Sequence, residues 1–433
     1  MTFQDLLITP IYLTIFYFAA YVIRPAVTTP ETKKYFIPAL SAKFFGAIAL
    51  GLIYQFYYGG GDTFNYFTHG SRWIWEAFLN NPIKGVKLLL EQGGERQADT
   101  FNFSQNIWYY RDIKAFFVVR IVAFFDLFTL HTYSATALFF ASFSFSGSWA
   151  LYSAVTKMYP NNYKLIAVAV LFVPSVVFWG SGILKDSLTF GALGWATYAL
   201  FKLIETNENK PRPIAIFILA SWLIISIKSY IFFCMVPAAF LWVYAKQVKI
   251  VRNPIVKTVV APILFVIIGG AGFVVVQQIG TLDEKYSLDN IAQVAAVTAY
   301  DIRYGWGART GGDGGYDLGQ LDGSWGSMIR LMPAAINVSL FRPYLWEARN
   351  PLMLISALEA LLTLALTLNI IRLGQWKNIF NEPFLLYSLI FSLMFAFAVG
   401  VSTYNFGTLM RYKIPMMPFF YLVVMPELSK PRR

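Results

Sequence analysis

Residues 113–130 read IKAFFVVRIVAFFDLFTL, and whether they cross a membrane decides the topology of everything around them. The run is apolar enough to span, yet Arg120 and Asp126 interrupt it. A charge near the bilayer centre costs about 2.5–3.5 kcal/mol on insertion scales. A helix lying in the interface, with its charged face toward water, avoids that cost. The stretch is therefore read as lying flat on the membrane.

On either side, eleven apolar runs are candidate spans: 5–23, 38–58, 134–156, 164–181, 184–203, 213–227, 229–245, 256–276, 351–371, 383–401 and 413–428. A hydrocarbon core takes about 20 apolar residues in a helix. The 213–227 and 229–245 pair is short for that, and reads as two tilted halves of a hairpin broken at Lys228-Ser229. Composition agrees with a membrane chain. Of 433 residues, 57% are hydrophobic and only 13% charged, where an ordinary soluble domain carries about 25% charge. That excludes a cytosolic domain and a secreted enzyme. Cys234, the only cysteine, excludes an internal disulfide and reads as a buried, inert thiol. The N-terminal apolar stretch has neither a basic lead nor a small-residue cleavage site, so a retained span fits better than a signal peptide. The fold class expected is all-α and polytopic, with about 11 transmembrane helices and external interfacial helices in a single membrane domain, 1–433.

Charge distribution supports this topology. With 113–130 flat, one side of the membrane receives segments 24–37, 157–163, 202–212, 246–255, 372–382 and the tail. Together with Lys164 and Lys257 they hold 17 basic and five acidic residues, the whole of the +12 net charge. That is the positive-inside bias, so the excess charge needs no nucleic acid to explain it. Two long external segments remain, 59–133 and 277–350.

The first opens GGGDTFNYFTHGSRWIWEAF (59–78), with Phe64, Phe67, Ile74, Trp75 and Phe78 at helical spacing. An in-plane helix with interfacial aromatics is expected. The second contains nine glycines between Gly305 and Gly326. It reads as a mobile flap, because Asp313, Asp317 and Asp322 lack calcium-loop spacing. His69 and His131 stand 62 residues apart without Cys or His neighbours, so no zinc site is expected.

Ionisable residues gather at the external span ends: Asp62, Lys185 and Asp186, Lys228, Arg342, and Arg411-Tyr412-Lys413. An acid among cations suits chemistry on a phosphate-bearing substrate. The acid can accept a proton or hold a metal, and the cations can neutralise a departing phosphate oxygen. Plainer roles stand beside these. Asp62 fits the N-cap of a helix, and Lys185, Lys228 and Lys413 fit snorkelling lysines. Asp186 with Lys185 fits a local pair, and Arg342 with Glu347 a loop clamp. Glu359, about eight residues into its span, is a buried ionisable group and so a functional candidate, although a hydrogen bond to a neighbouring helix would account for it.

The Gly-Asp at the head of the first external loop, with the aromatic helix after it, resembles the GT-C superfamily of membrane glycosyltransferases, mannosyltransferase-like. The likeness continues through residues 120–200, from RIVAFFDLF to GWATYAL, and covers roughly 38–245; FGTLMRYKIPMMPFF (406–420) has a similar character. The resemblance implies transfer of a sugar from a polyprenyl-phosphate donor to a lipid or glycan acceptor at the external face of a bacterial inner membrane. It implies Asp62 and Asp186 as catalytic acids. The external charges themselves give the rest of the expectation: Lys185, Lys228, Arg342, Arg411 and Tyr412 as phosphate-binding residues, and Asp62 as the place for a divalent cation, Mg or Mn. The chain departs from the family in two ways: the usual acidic pair is here Asp62-Thr63, and an extra span precedes it. Those departures leave room for a glycan polymerase. A transporter or flippase of a lipid-linked glycan is the alternative from a different class.

Overall fold

A computed structural model describes residues 2–206, 210–250, 290–306 and 315–428, with scattered positions between 261 and 277. It is 81% helical, with no strand among the described residues. The chain divides into two compact units, Met1–Lys228 and Ser229–Arg433.

In the first unit, α1 (Phe3–Val27) and α2 (Lys33–Phe56) are joined by a short turn, where Thr29 N donates to Thr32 Oγ1 at 2.8 Å. A run of short helices follows: α3 (Asp62–Tyr66), α4 (Arg72–Asn80), α5 (Pro82–Leu90) and α6 (Phe101–Ser104). A π-helical turn, Phe67–Ser71, joins α3 to α4. Then α7 (Ile113–Thr129) begins where Asp112 accepts from Ala115 N at 3.0 Å, and ends where Leu130 turns left-handed at φ 53°. Its buried face carries Phe116, Val119, Val122, Ala123 and Asp126, the three-and-four spacing of one helix side.

α8 (Tyr133–Met158) and α11 (Lys185–Glu205) pack through bare backbone. A Cβ on Gly147 would lie 1.9 Å from Gly191 O, and one on Gly194 would lie 2.1 Å from Gly147 O. In a membrane such small residues let helices approach where hydrophobic burial supplies little drive. Between α8 and α11, the single span expected at 164–181 is two helices, α9 (Tyr163–Leu171) and α10 (Pro174–Trp179). Pro174 is the reason: it lacks an N–H and pushes Val173 into an extended conformation (ψ 120°). The buried ammonium of Lys43, from the middle of α2, donates to Val176 O and Gly180 O at 3.0 Å each, so it satisfies carbonyls at the end of α10.

α12 (Pro211–Ile250) begins in this unit and has non-helical dihedrals at Lys228 (φ −143°, ψ 78°), the unit's last residue. The break expected at Lys228-Ser229 is thus present, as two helical stretches that meet at a kink at Lys228.

In the second unit, the helices Pro351–Arg372 and Pro383–Thr403 match expected spans. Helix Trp325–Phe341 packs tightly on the latter, where a Cβ on Gly400 would lie 2.2 Å from Ala335 O. Within the span expected at 413–428 the helix is shorter, Met417–Val424, and a separate short helix, Phe406–Tyr412, precedes it. The span expected at 256–276 falls mostly outside the described residues. Seven helices among the described residues are long and apolar enough to cross a membrane: α1, α2, α8, α11, α12, Pro351–Arg372 and Pro383–Thr403.

Candidate functional site

Three consecutive glycines build the entry to the site. Gly59, Gly60 and Gly61 have φ of 68°, 137° and 130°, values that side chains other than glycine rarely adopt. At Gly61 space is short as well, since a Cβ would stand 2.6 Å from the Tyr54 ring. Gly61 holds the N-cap position of α3 and Asp62 is the first helical residue. The N-cap role considered for Asp62 therefore does not apply. Its half-buried carboxylate accepts instead from Tyr109 Oη at 3.2 Å, and Asn65 Nδ2 donates to the same Tyr109 oxygen at 3.3 Å.

Tyr109 begins a short stretch that reaches the next site residue. Three positions on, Asp112 Oδ2 lies 3.7 Å from Lys185 Nζ while Asp112 Oδ1 caps α7. Asp186, next to Lys185, is fully buried and pairs with Lys228 at the kink of α12, at 2.5 Å. Lys185 and Asp186 thus each have a partner distant in sequence. Four stretches distant in sequence, at 62, 109–112, 185–186 and 228, become one connected ionic and hydrogen-bonded run inside the first unit. Tyr109 and Asp112 are additions the sequence reading missed. The available signal for Asp112 was an Asp directly ahead of the apolar helix at 113.

The candidate residues of the second unit form sets of their own. Arg342 is clamped by Glu347 through Nε at 3.1 Å and through Nη2, and Glu347 also accepts from Tyr344 N at 2.7 Å. Burial alone would raise the Glu347 carboxyl, but the Arg342 and Tyr344 donors outweigh it and leave it below the usual range. The loop-clamp reading of Arg342 is the one its contacts support. Arg411 is buried, with its guanidinium 5.8 Å from the Tyr412 ring centre. Lys413 does not snorkel: its side chain is fully buried, with Glu359, itself buried, near enough for the two charges to interact. Lys228, also buried, does not snorkel either.

A second centre went unread in the sequence. Asp126 is completely buried and accepts from Ser71 Oγ at 2.6 Å, Thr136 Oγ1 at 2.8 Å and His131 Nδ1 at 2.8 Å. The His131 ring lies flat on Phe67 at 4.0 Å. One carboxylate thus ties the π-helical turn, α7 and α8 together. Beyond it, Glu91 accepts from Thr100 Oγ1 and Tyr110 Oη at 2.6 and 2.5 Å. Burial and that acceptor push the Tyr110 hydroxyl well above its usual range. The glycine run is docked at its described end. Tyr316 stacks on Tyr404 at 5.6 Å and donates to Gly400 O at 2.9 Å, while Asp317 and Asp322 each close a local turn. Asp313 lies outside the described residues.

No three His, Cys, Asp or Glu side chains gather into a metal-binding group among the described residues. Compared with known protein families, curated proteins and solved structures, the chain matches none of them.

Proposed function

We propose that this protein is a membrane-embedded glycosyltransferase of the GT-C kind, with about eleven spans and an active site on the external face. It would transfer a sugar from a polyprenyl phosphate to a lipid or glycan acceptor. The observation that carries the reading is the setting of Asp62. Its half-buried carboxylate stands on a three-glycine turn and is oriented by Tyr109, and a lysine, Lys185, sits at the far end of the same connecting stretch. In the proposed reaction an acceptor hydroxyl oxygen attacks the anomeric carbon as the bond to the phosphate oxygen breaks. Asp62 takes the hydroxyl proton, and Lys185 offsets the charge that grows on the departing phosphate. Asp186 and Lys228 neutralise each other and hold the start of α11 in place, so they act as positioning residues. Arg411 and Tyr412 remain phosphate-binding candidates to be tested separately.

The test is turnover of polyprenyl-phosphate sugars by purified protein. Asp62→Asn should lower turnover by at least about a hundredfold with unchanged thermal unfolding. Sidedness is checked in a Cys234→Ala background. Asp62→Cys and Lys185→Cys should react with an impermeant thiol reagent on intact cells, and Lys249→Cys should not. Labelling of Asp62→Cys only after permeabilisation would end the external-site reading. One observation favours a second reading, a transporter of a lipid-linked glycan: the buried Glu359 and Lys413 sit together in the apolar second unit, and intramembrane ionisable pairs often mark transport paths. Loss of function in Glu359→Gln with full function in Asp62→Asn would select it.

A further inference from the structure

The first unit contains a large groove whose lining shares no residue with the Asp62 site. Its volume is about 1660 Å³, and it opens where α1 ends, α2 starts, α8 ends and α11 meets α12. The interior is apolar, with Phe16, Phe44, Phe145 and Trp195 on its walls. The mouth is polar and basic. Lys157, Lys202 and Arg212 line it, opposed by one acid, Glu31.

Two quantities identify what fits. The first is depth. Phe16 lies 11 residues back from the end of α1, and Phe44 lies 11 residues into α2. At 1.5 Å per residue both are about 16 Å from the mouth. That is about half of a hydrocarbon core, the thickness of one leaflet. The second is charge. Three cations against one carboxylate favour a phosphate, and both ends of the candidate ligand are then matched by one amphiphile. The groove exists because α1 leans on its neighbours sparingly. Of its 25 residues only Asp5, Thr9 and Ala20 are buried, and the small Ala19 and Ala20 face the space.

We propose that this groove binds an anionic phospholipid of the leaflet on the basic side of the protein. An acyl chain lies between α1, α2 and α8, and the phosphate sits among Lys157, Lys202 and Arg212. The lipid completes the packing of α1 on the unit and is a resident component, separate from any substrate of the Asp62 site.

The experiment uses the full chain, purified in detergent and titrated with phosphatidylglycerol or phosphatidylcholine. Bound lipid is counted by native mass spectrometry, and thermal unfolding is followed in parallel. Phosphatidylglycerol should be retained at one per chain and should raise the unfolding temperature; phosphatidylcholine should do so at least tenfold more weakly. Lys157 and Arg212 are exposed, so Lys157→Gln/Arg212→Gln folds and should lose most of the discrimination, about fivefold per cation removed. Ala19→Phe narrows the groove and should lower retention of both lipids with the mouth intact. Asp62→Asn should bind as the parent does, which separates this inference from the glycosyltransferase reading. Equal retention of the two lipids by the parent protein would overturn it. So would stabilisation by inorganic phosphate as great as by phosphatidylglycerol, because the chain would then contribute nothing.

Discussion

Lys228 Nζ and Asp186 Oδ1 stand 2.5 Å apart across 42 residues of sequence, both side chains out of reach of solvent. The pair fixes the kink of α12 against the first turn of α11. Burying two charges costs several kcal/mol each, and their mutual attraction is one of the contributions that offset it. Lys228→Met alone should therefore destabilise the protein by about 3–5 kcal/mol, because it takes the opposite charge away from a buried carboxylate. The double replacement Lys228→Met/Asp186→Leu should recover most of that loss in thermal unfolding. A double variant as unstable as the single one would mean the pair is not the source of the cost.

The glycine turn before Asp62 gives a graded prediction. Gly59→Ala introduces a Cβ into open space at φ 68°, whereas Gly61→Ala meets the Tyr54 ring at φ 130°. Backbone strain of this kind costs about 1–3 kcal/mol. Gly61→Ala should be clearly the worse of the two in unfolding temperature. It should also lower turnover if Asp62 is the base, since the carboxylate moves with the turn. Equal effects at both positions would show that the Tyr54 contact does not constrain the turn.

Much of the helical layout was legible in the apolar runs. Spans expected at 5–23, 134–156, 184–203, 351–371 and 383–401 match helices within a few residues at each end, because a long hydrophobic run has few other fates. The division of 164–181 at Pro174 was signalled by the proline itself but hidden by the continuity of the apolar pattern. Among the candidate residues, the sequence placed Asp62, Lys185, Asp186 and Lys228 at helix ends and left open which of them meet. Pairing depends on tertiary approach, which hydropathy does not encode. Asp186 pairs with Lys228, 42 residues on, and no local pattern announces that partner. Asp126 was visible only as a charge disturbing an apolar run. Its partners Ser71, His131 and Thr136 come from three different elements.

Asp126 supplies a stability prediction that is independent of any activity. Its carboxylate takes three donors in a buried site, and bonds to a charged group contribute about 1.5–3 kcal/mol each, without simple additivity. Asp126→Ala should cost about 3 kcal/mol or more, and Ser71→Ala nearer 1–2 kcal/mol. Limited proteolysis should then cut preferentially within 62–112, the stretch this carboxylate anchors to α7 and α8. Cleavage unchanged in Asp126→Ala, with the protein folded, would remove the anchoring role.

The clamp between Arg342 and Glu347 makes stability depend on acid in a definite direction. The Glu347 carboxyl is held below its ordinary value of 4.5: burial opposes ionisation, but the donors from Arg342 and Tyr344 N more than compensate. A depressed folded-state pKa means the ionised form binds its surroundings more strongly folded than unfolded, so the contribution is fully present above that ordinary value. It is lost progressively as the pH falls through the lowered folded value. Glu347→Gln removes the charge at every pH. The unfolding temperature of the parent should therefore exceed that of Glu347→Gln by a constant amount near neutrality, and the gap should close on acidification below about pH 4.5. The side chains are partly exposed, so solvent screens the pair and the gap should be modest. A gap that stays constant into acid would trace the difference to packing, because the carboxylate takes up a proton there and the glutamine amide does not.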